Sequence, residues 1–104
     1  MSYAIAFDLS TDALKQHYNP TSPNNAYSEI GRFLASQGFS RRQGSLYFGD
    51  NNVNAVKCVV VVQQLAQALP WFSNCVTDIR MLRIEDYNDL KPALVASIPI
   101  PVTV

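Results

Sequence analysis

Alternation opens the chain. In YAIAFDL, Tyr3, Ile5, Phe7 and Leu9 fall on one face of an extended segment, and Ala4, Ala6 and Asp8 fall on the other. That period of two predicts a strand over 3–9. Ser10 then stands as an N-cap, with Asp12 in the first turn, for a short helix over 11–18. NPTSP is a loop, punctuated by two prolines, two hydroxyl residues and an asparagine. Over 25–37 the spacing of Ala26, Ile30, Phe33 and Leu34 is helical, with Asn24 or Asn25 as cap and Gly38 as stop. FSRRQGSLYFG, 39–49, reads as two short strands about a turn that contains Gly44.

The stretch 53–69 sets two rules against each other. Val59 to Val62 is a β-branched run with strand propensity. Yet Ala55, Cys58, Val59, Val62, Leu65, Ala66 and Leu69 keep helical spacing over four turns. No strand here would be that long, so the prediction is a helix ended by Pro70, with capping candidates at Asp50 to Asn52. CVTDIRMLRIED, 75–86, is the last core strand. Its apolar residues occur on both faces, Ile79 and Met81 on one, Leu82 and Ile84 on the other. That predicts either a bulge or burial on both sides. DLKPALVAS has room for one helical turn, and IPIPVTV, with two prolines, is limited to an edge strand or a loose tail.

With the first two helices merged into one crossover, the order is βαββαβ. This is the ferredoxin-like plan, an α+β fold with a four-stranded antiparallel sheet and helices on one face. At 104 residues the chain is one domain, expected to run over 1–94 with a tail or edge strand at 95–104. Apolar residues make up 48% and charged residues 15%, which excludes a disordered chain and points to apolar surface of the kind an oligomer covers.

Eight basic residues balance eight acidic ones, which argues against a polybasic nucleic-acid coat and predicts weak, salt-sensitive binding to any polyanion. Five of the basic residues are arginine, the side chain that grips phosphate in a fork. No apolar run is long enough for a membrane span, and MSYAIAFDLS lacks the charged start of a signal peptide. Two cysteines make no disulfide framework; the reading is reduced thiols in a cytoplasmic protein.

Zinc motifs, dinucleotide fingerprints and a phosphate-binding P-loop are missing, and the single histidine, His17, lies on a polar stretch. Cys58, on the apolar stripe of its helix, reads as packing. Asp8 is the informative residue. It interrupts an apolar strand, where a buried carboxylate needs a partner or a purpose. The plain reading is a cap or an arginine pair; the functional one is an acid–base group or a ligand for a hard cation. Asp8 of a second copy could complete such a cation site across a symmetric dimer. Asp78, followed by Arg80 and Arg83, reads as a surface ion-pair ladder or as an auxiliary carboxylate beside phosphate-gripping arginines. Arg41 and Arg42 are exposed charges or phosphate contacts. Tyr47, Phe48, Trp71 and Phe72 fit a core or dimer contact better than a stacking platform.

Four blocks, YAIAFDL, NNAYSEIGRFL, GFSRRQGSLYFGD and TDIRMLRIEDYNDL, taken in order, resemble the virulence-associated protein D (VapD) family over residues 1–94. The resemblance implies a ferredoxin-like homodimer related to the small CRISPR-associated endonucleases. It also implies an endoribonuclease, the toxin of a toxin–antitoxin pair with a protein antitoxin as partner. By motif position it assigns catalysis to Asp8, Ser45 and Asp78, with Asp8 as the main carboxylate. Arg41, Arg42, Arg80, Arg83 and Tyr47 are then the candidates for RNA contact. Two routes remain open: a divalent cation, Mg²⁺, held at Asp8, or Asp8 as general base toward the ribose 2′-OH. The competing function is a non-catalytic homodimeric binding module on the same fold, in which Asp8 is structural.

Overall fold

A computed structural model describes residues 2–95. The tail expected from 95 onward lies outside the described residues, apart from Val95. The elements in order are β1 (Ser2–Leu9), α1 (Thr11–His17), α2 (Asn25–Ser36), β2 (Phe39–Gln43), β3 (Leu46–Gly49), α3 (Ala55–Ala68), α4 (Phe72–Cys75), β4 (Val76–Ile84) and α5 (Lys91–Leu94). The strands form one antiparallel sheet in the order β2-β3-β1-β4. This is the ferredoxin-like βαββαβ arrangement, with α1 and α2 together making the first crossover.

One face of the sheet carries the core. Ile5 and Phe7 of β1 and Tyr47 of β3 pack with Ile30 and Leu34 of α2 and with Cys58, Val61 and Leu65 of α3. The conflict over 53–69 is resolved as helix, because tertiary burial of an apolar stripe outweighs the strand propensity of four valines. The stripe is turned from the expected one. Val61 is buried and Val59 is 52% exposed, so the buried line is Cys58, Val61 and Leu65, at i, i+3 and i+7. The cap is also displaced: Asn54, not a residue of 50–52, accepts from the Lys57 amide at 2.8 Å. Pro70 ends the helix as expected, and a single turn, α4, follows it unannounced by the sequence reading.

Ser10 caps α1, its hydroxyl accepting from the Ala13 amide. A second small cluster of Leu14, Ala26 and Cys75 holds α1 and α4 together beneath the end of β1. There the Ser10 amide donates to the Cys75 carbonyl at 2.9 Å. The bulge expected in the last strand is real: Asp8 faces Asp78 and Leu9 faces Val76, so Thr77 is the extra residue. Burial of β4 on both sides does not occur within one chain, since Met81 is 48% and Leu82 38% exposed.

Gly38 follows α2 with φ of 91°, the left-handed stop that glycine tolerates. A Cβ there would also lie 2.8 Å from an Asp50 carboxylate oxygen. Replacing Gly38 with alanine is expected to cost about 1–2 kcal/mol from the strained conformation. Urea unfolding checks this through its midpoint, and an unshifted midpoint would contradict it.

Candidate active site

The face of the sheet opposite the core is laid out in rows. Phe48, Ala4 and Leu82 form one row across β3, β1 and β4; Leu46, Ala6 and Arg80 form the next. Tyr87 packs edge-on against Phe48 at 4.7 Å, so the segment after β4 covers part of this face. The third row lies at the end of β1, where Asp8 faces Asp78 on β4. The side chains of such facing residues lie within about 4.5–5.5 Å at Cβ. On the other side of Asp8 stands the β2–β3 turn, pinned there because the Phe7 amide donates to the Ser45 carbonyl at 3.2 Å. That turn is two residues long and opens on Gly44, whose φ of 52° suits a glycine-first hairpin. The three carboxyl and hydroxyl candidates, Asp8, Ser45 and Asp78, are thus neighbours.

Asp8 and Ser45 line one cleft of about 520 Å³, together with Ala6, Gln43 and Leu46. Asp8 is exposed, which overturns the expectation of a buried carboxylate: the apolar strand places it at a sheet end, where water reaches it. Its carboxylate makes no ion pair or hydrogen bond among the described residues, so neither the cap nor the arginine-pair reading holds. Asp78 differs. Arg80 Nε donates to both of its oxygens, at 3.0 and 3.2 Å. An ion pair of the expected kind is therefore present at Asp78, whose carboxylate is held by Arg80 two residues on. Like charges facing across strands repel, and Arg80 offsets that repulsion at this end of the sheet.

The remaining candidates divide. Arg41 faces Tyr47 and shares the core side of the sheet edge. Arg42 instead lies over the Phe48 ring, 5.1 Å from its centre, on the side of Asp8. The two cannot grip one phosphate. Arg83 pairs with Tyr3 at the far end of β1, about 17 Å along the strand from Asp8 at about 3.3 Å per residue. It also forms an ion pair with Glu85 at 3.6 Å. Within one chain it is not part of the cleft. The Tyr47 ring is buried and stacks on Phe7 at 6.0 Å, so the core reading of that ring is correct, and burial pushes its hydroxyl pKa up. Cys58 and Cys75 are buried thiols with pKa values raised by burial, which leaves neither activated.

Hard cations take oxygen ligands, and Mg²⁺ is commonly held by one or two carboxylates while keeping several waters. Asp8 and Asp78 face each other across β1 and β4 and are the single-chain candidates for such ligands, with both oxygens of Asp78 already engaged by Arg80. Among the described residues no group of three or more His, Cys, Asp or Glu side chains is gathered.

An exposed carboxylate, Asp8, shares a cleft with the Ser45 turn, and half-buried Asp78 faces it from β4. The chain is 50% identical to endoribonuclease VapD 2 of Riemerella anatipestifer over 92 residues, 88% of this chain and 98% of that one. It is 49% identical to an endoribonuclease VapD homolog of Helicobacter pylori over 92 residues, 88% of this chain and 95% of that one. It is 43% identical to endoribonuclease VapD of Haemophilus influenzae, across 84% of this chain and 91% of that one. The chain belongs to the VapD endoribonuclease family. No family model matches the sequence. The four sequence blocks that resemble VapD hold both carboxylates and the Ser45 turn. No helix among the described residues is long and apolar enough to cross a membrane.

Proposed function

We propose that this VapD chain cuts RNA at the cleft lined by Asp8 and Ser45, beside which Asp78 faces Asp8 across the strands. The observation that carries the reading is the Asp8 carboxylate: exposed, without a partner among the described residues and set between the Ser45 turn and Asp78. A structural aspartate would be satisfied by a neighbour; this one is free to act on something that arrives. Asp8 is the principal catalytic carboxylate. The Ser45 hydroxyl donates to a phosphate oxygen of the bound strand. Arg80 holds Asp78 in place and limits the negative charge that a phosphate meets on entry. Arg42 contacts the RNA backbone from the same face of the sheet.

Asp8 and Asp78 are also the residues that would hold a divalent cation, Mg²⁺. Such an ion supplies charge neutralisation at the scissile phosphate and lowers the pKa of bound water. Without it, Asp8 would take the 2′-OH proton directly, a step in reach of general-base catalysis. EDTA separates the two. Cleavage that stops in EDTA and returns with Mg²⁺ supports the metal route; cleavage that continues in EDTA at the full rate assigns Asp8 the base role.

The working unit in this reading is a homodimer, in the cytoplasm, acting as a toxin that a protein antitoxin restrains. The support for the dimer is apolar surface at the sheet's free edge, where Val59, Val62, Ile79 and Met81 line a groove of about 210 Å³ between α3 and β4. A sedimentation mass of twice 11.6 kDa is expected. A mass of 11.6 kDa at micromolar concentration would contradict the dimer and leave the single-chain cleft intact.

A further inference from the structure

A second cavity, of about 470 Å³, opens between α2 and the β2–β3 hairpin. Its volume falls in the range of about 300–1,000 Å³ typical of small-molecule sites. Tyr27, Ser28 and Gly31 of α2 line one wall, and Arg41, Ser45 and Tyr47 line the other. Gly44 and Ser45 border this cavity and also the Asp8 cleft, so the turn is the ridge between the two. A chain lying over that ridge touches both.

The chemistry of the lining is one-sided. No acidic residue borders the cavity, whereas the cleft across the ridge is acidic. Arg41 Nε donates to the Gly44 carbonyl at 2.7 Å, which orients the guanidinium. No carboxylate pairs with it among the described residues, so its terminal nitrogens are uncommitted. Arg80 and Arg83 are engaged by acids, and Arg42 lies on Phe48. The Ser28 hydroxyl has no partner among the described residues. The Tyr27 ring is 36% exposed and contacts no other aromatic ring among the described residues. An oriented arginine fork, a hydroxyl without a partner among the described residues and a partly exposed aromatic ring are what one nucleotide asks for: two groups for the phosphate and one for the base. Gly31 lets the wall close over the floor, since a Cβ there would lie 2.8 Å from the Tyr47 hydroxyl.

We propose that this cavity is a nucleotide subsite that holds single-stranded RNA next to the scissile bond, with Tyr27 stacking on a base and Arg41 and Ser28 binding the adjoining phosphate. The proposal rests on the endoribonuclease reading for its ligand class. Tyr27 and Ser28 are thereby positioning residues. They bind the strand and do not touch the reacting atoms.

The test is binding of a short, fluorescein-labelled 2′-O-methyl RNA oligomer to the full chain, measured by anisotropy across a salt series, beside cleavage of unmodified RNA. Tyr27→Ala is expected to weaken binding about tenfold, the scale of losing one stacked base. Tyr27→Phe, which keeps the ring, should bind like wild type. Arg41→Gln should weaken binding and lower the slope of log affinity against log salt by about 0.7, one phosphate of a single strand. In cleavage, Tyr27→Ala should raise KM and leave kcat within about twofold. Unfolding midpoints of all three variants, taken alongside, report whether the fold is intact. Wild-type affinity and salt slope in both Tyr27→Ala and Arg41→Gln would overturn the subsite, as would a wild type that does not bind the oligomer. If wild type binds the oligomer, the variants lose it, and no RNA is cut, the subsite stands and the reaction assigned above falls.

Discussion

Replacing Asp8 with asparagine is expected to lower the rate of RNA cleavage by about 10²- to 10⁴-fold, the range over which a positioned acid–base group contributes. A lost cation ligand would act in the same direction. The substitution keeps size and shape and removes only the charge and the basic lone pair. Stability should not follow activity. Asp8 is exposed, has no carboxylate partner among the described residues and faces a like charge at Asp78. Its neutralisation should therefore change folding free energy by less than about 0.5 kcal/mol, with slight stabilisation the expected sign. Steady-state cleavage and thermal unfolding of the same preparation check both halves. A variant that cuts RNA at the wild-type rate would remove Asp8 from the mechanism. A variant that loses several kcal/mol of stability would return it to a structural role, which is what the non-catalytic binding module requires. Under the toxin reading the same change should relieve the growth arrest caused by inducing the wild-type chain alone.

One residue away, the expected effect is the reverse. Phe7 is buried, stacks on Tyr47 at 6.0 Å and meets Phe72 edge-on at 6.1 Å. Truncation to alanine removes apolar burial and two ring contacts and leaves a cavity, a loss of about 3–5 kcal/mol. Domains of this size have about 5–15 kcal/mol in total. At about 4–8 °C per kcal/mol, the thermal midpoint of Phe7→Ala should fall by of order 15 °C or more. A fall of under about 4 °C would show that the sheet and helices are not held together through this ring. Adjacent residues on one strand thus divide: the side chain that points inward holds the fold, and the one that points outward lies in the proposed site.

That division was legible in the alternation of β1, because a period of two separates Phe7 from Asp8 whatever surrounds them. The order of elements was equally legible, since long periodic segments and turn residues carry it. What sequence could not supply was depth and register. Asp8 reads as buried because its strand is apolar, but a strand end is open to solvent regardless of the residues before it. The facing of Asp8 and Asp78 depends on a bulge at Thr77, and which residue is extra in a strand is decided by pairing, not by composition. Four valines in succession hid the rotation of α3: every face of that stretch is apolar, so the pattern alone did not select Val61 over Val59 for the core. Arg41 and Arg42 look equivalent as neighbours in a sequence, and the strand sends them to opposite faces. Tyr27 and Ser28 carried no local signal, because exposed first-turn residues of a helix become a site only when a hairpin closes over them.

The measurement that bears most directly on the central claim uses a circular single-stranded RNA, which has no ends and yields only to an internal cut. Purified wild type should convert the circle to a linear molecule, and Asp8→Asn purified in the same way should leave it closed. A circle that survives wild type, or one opened equally well by both proteins, would contradict an endoribonuclease site at Asp8.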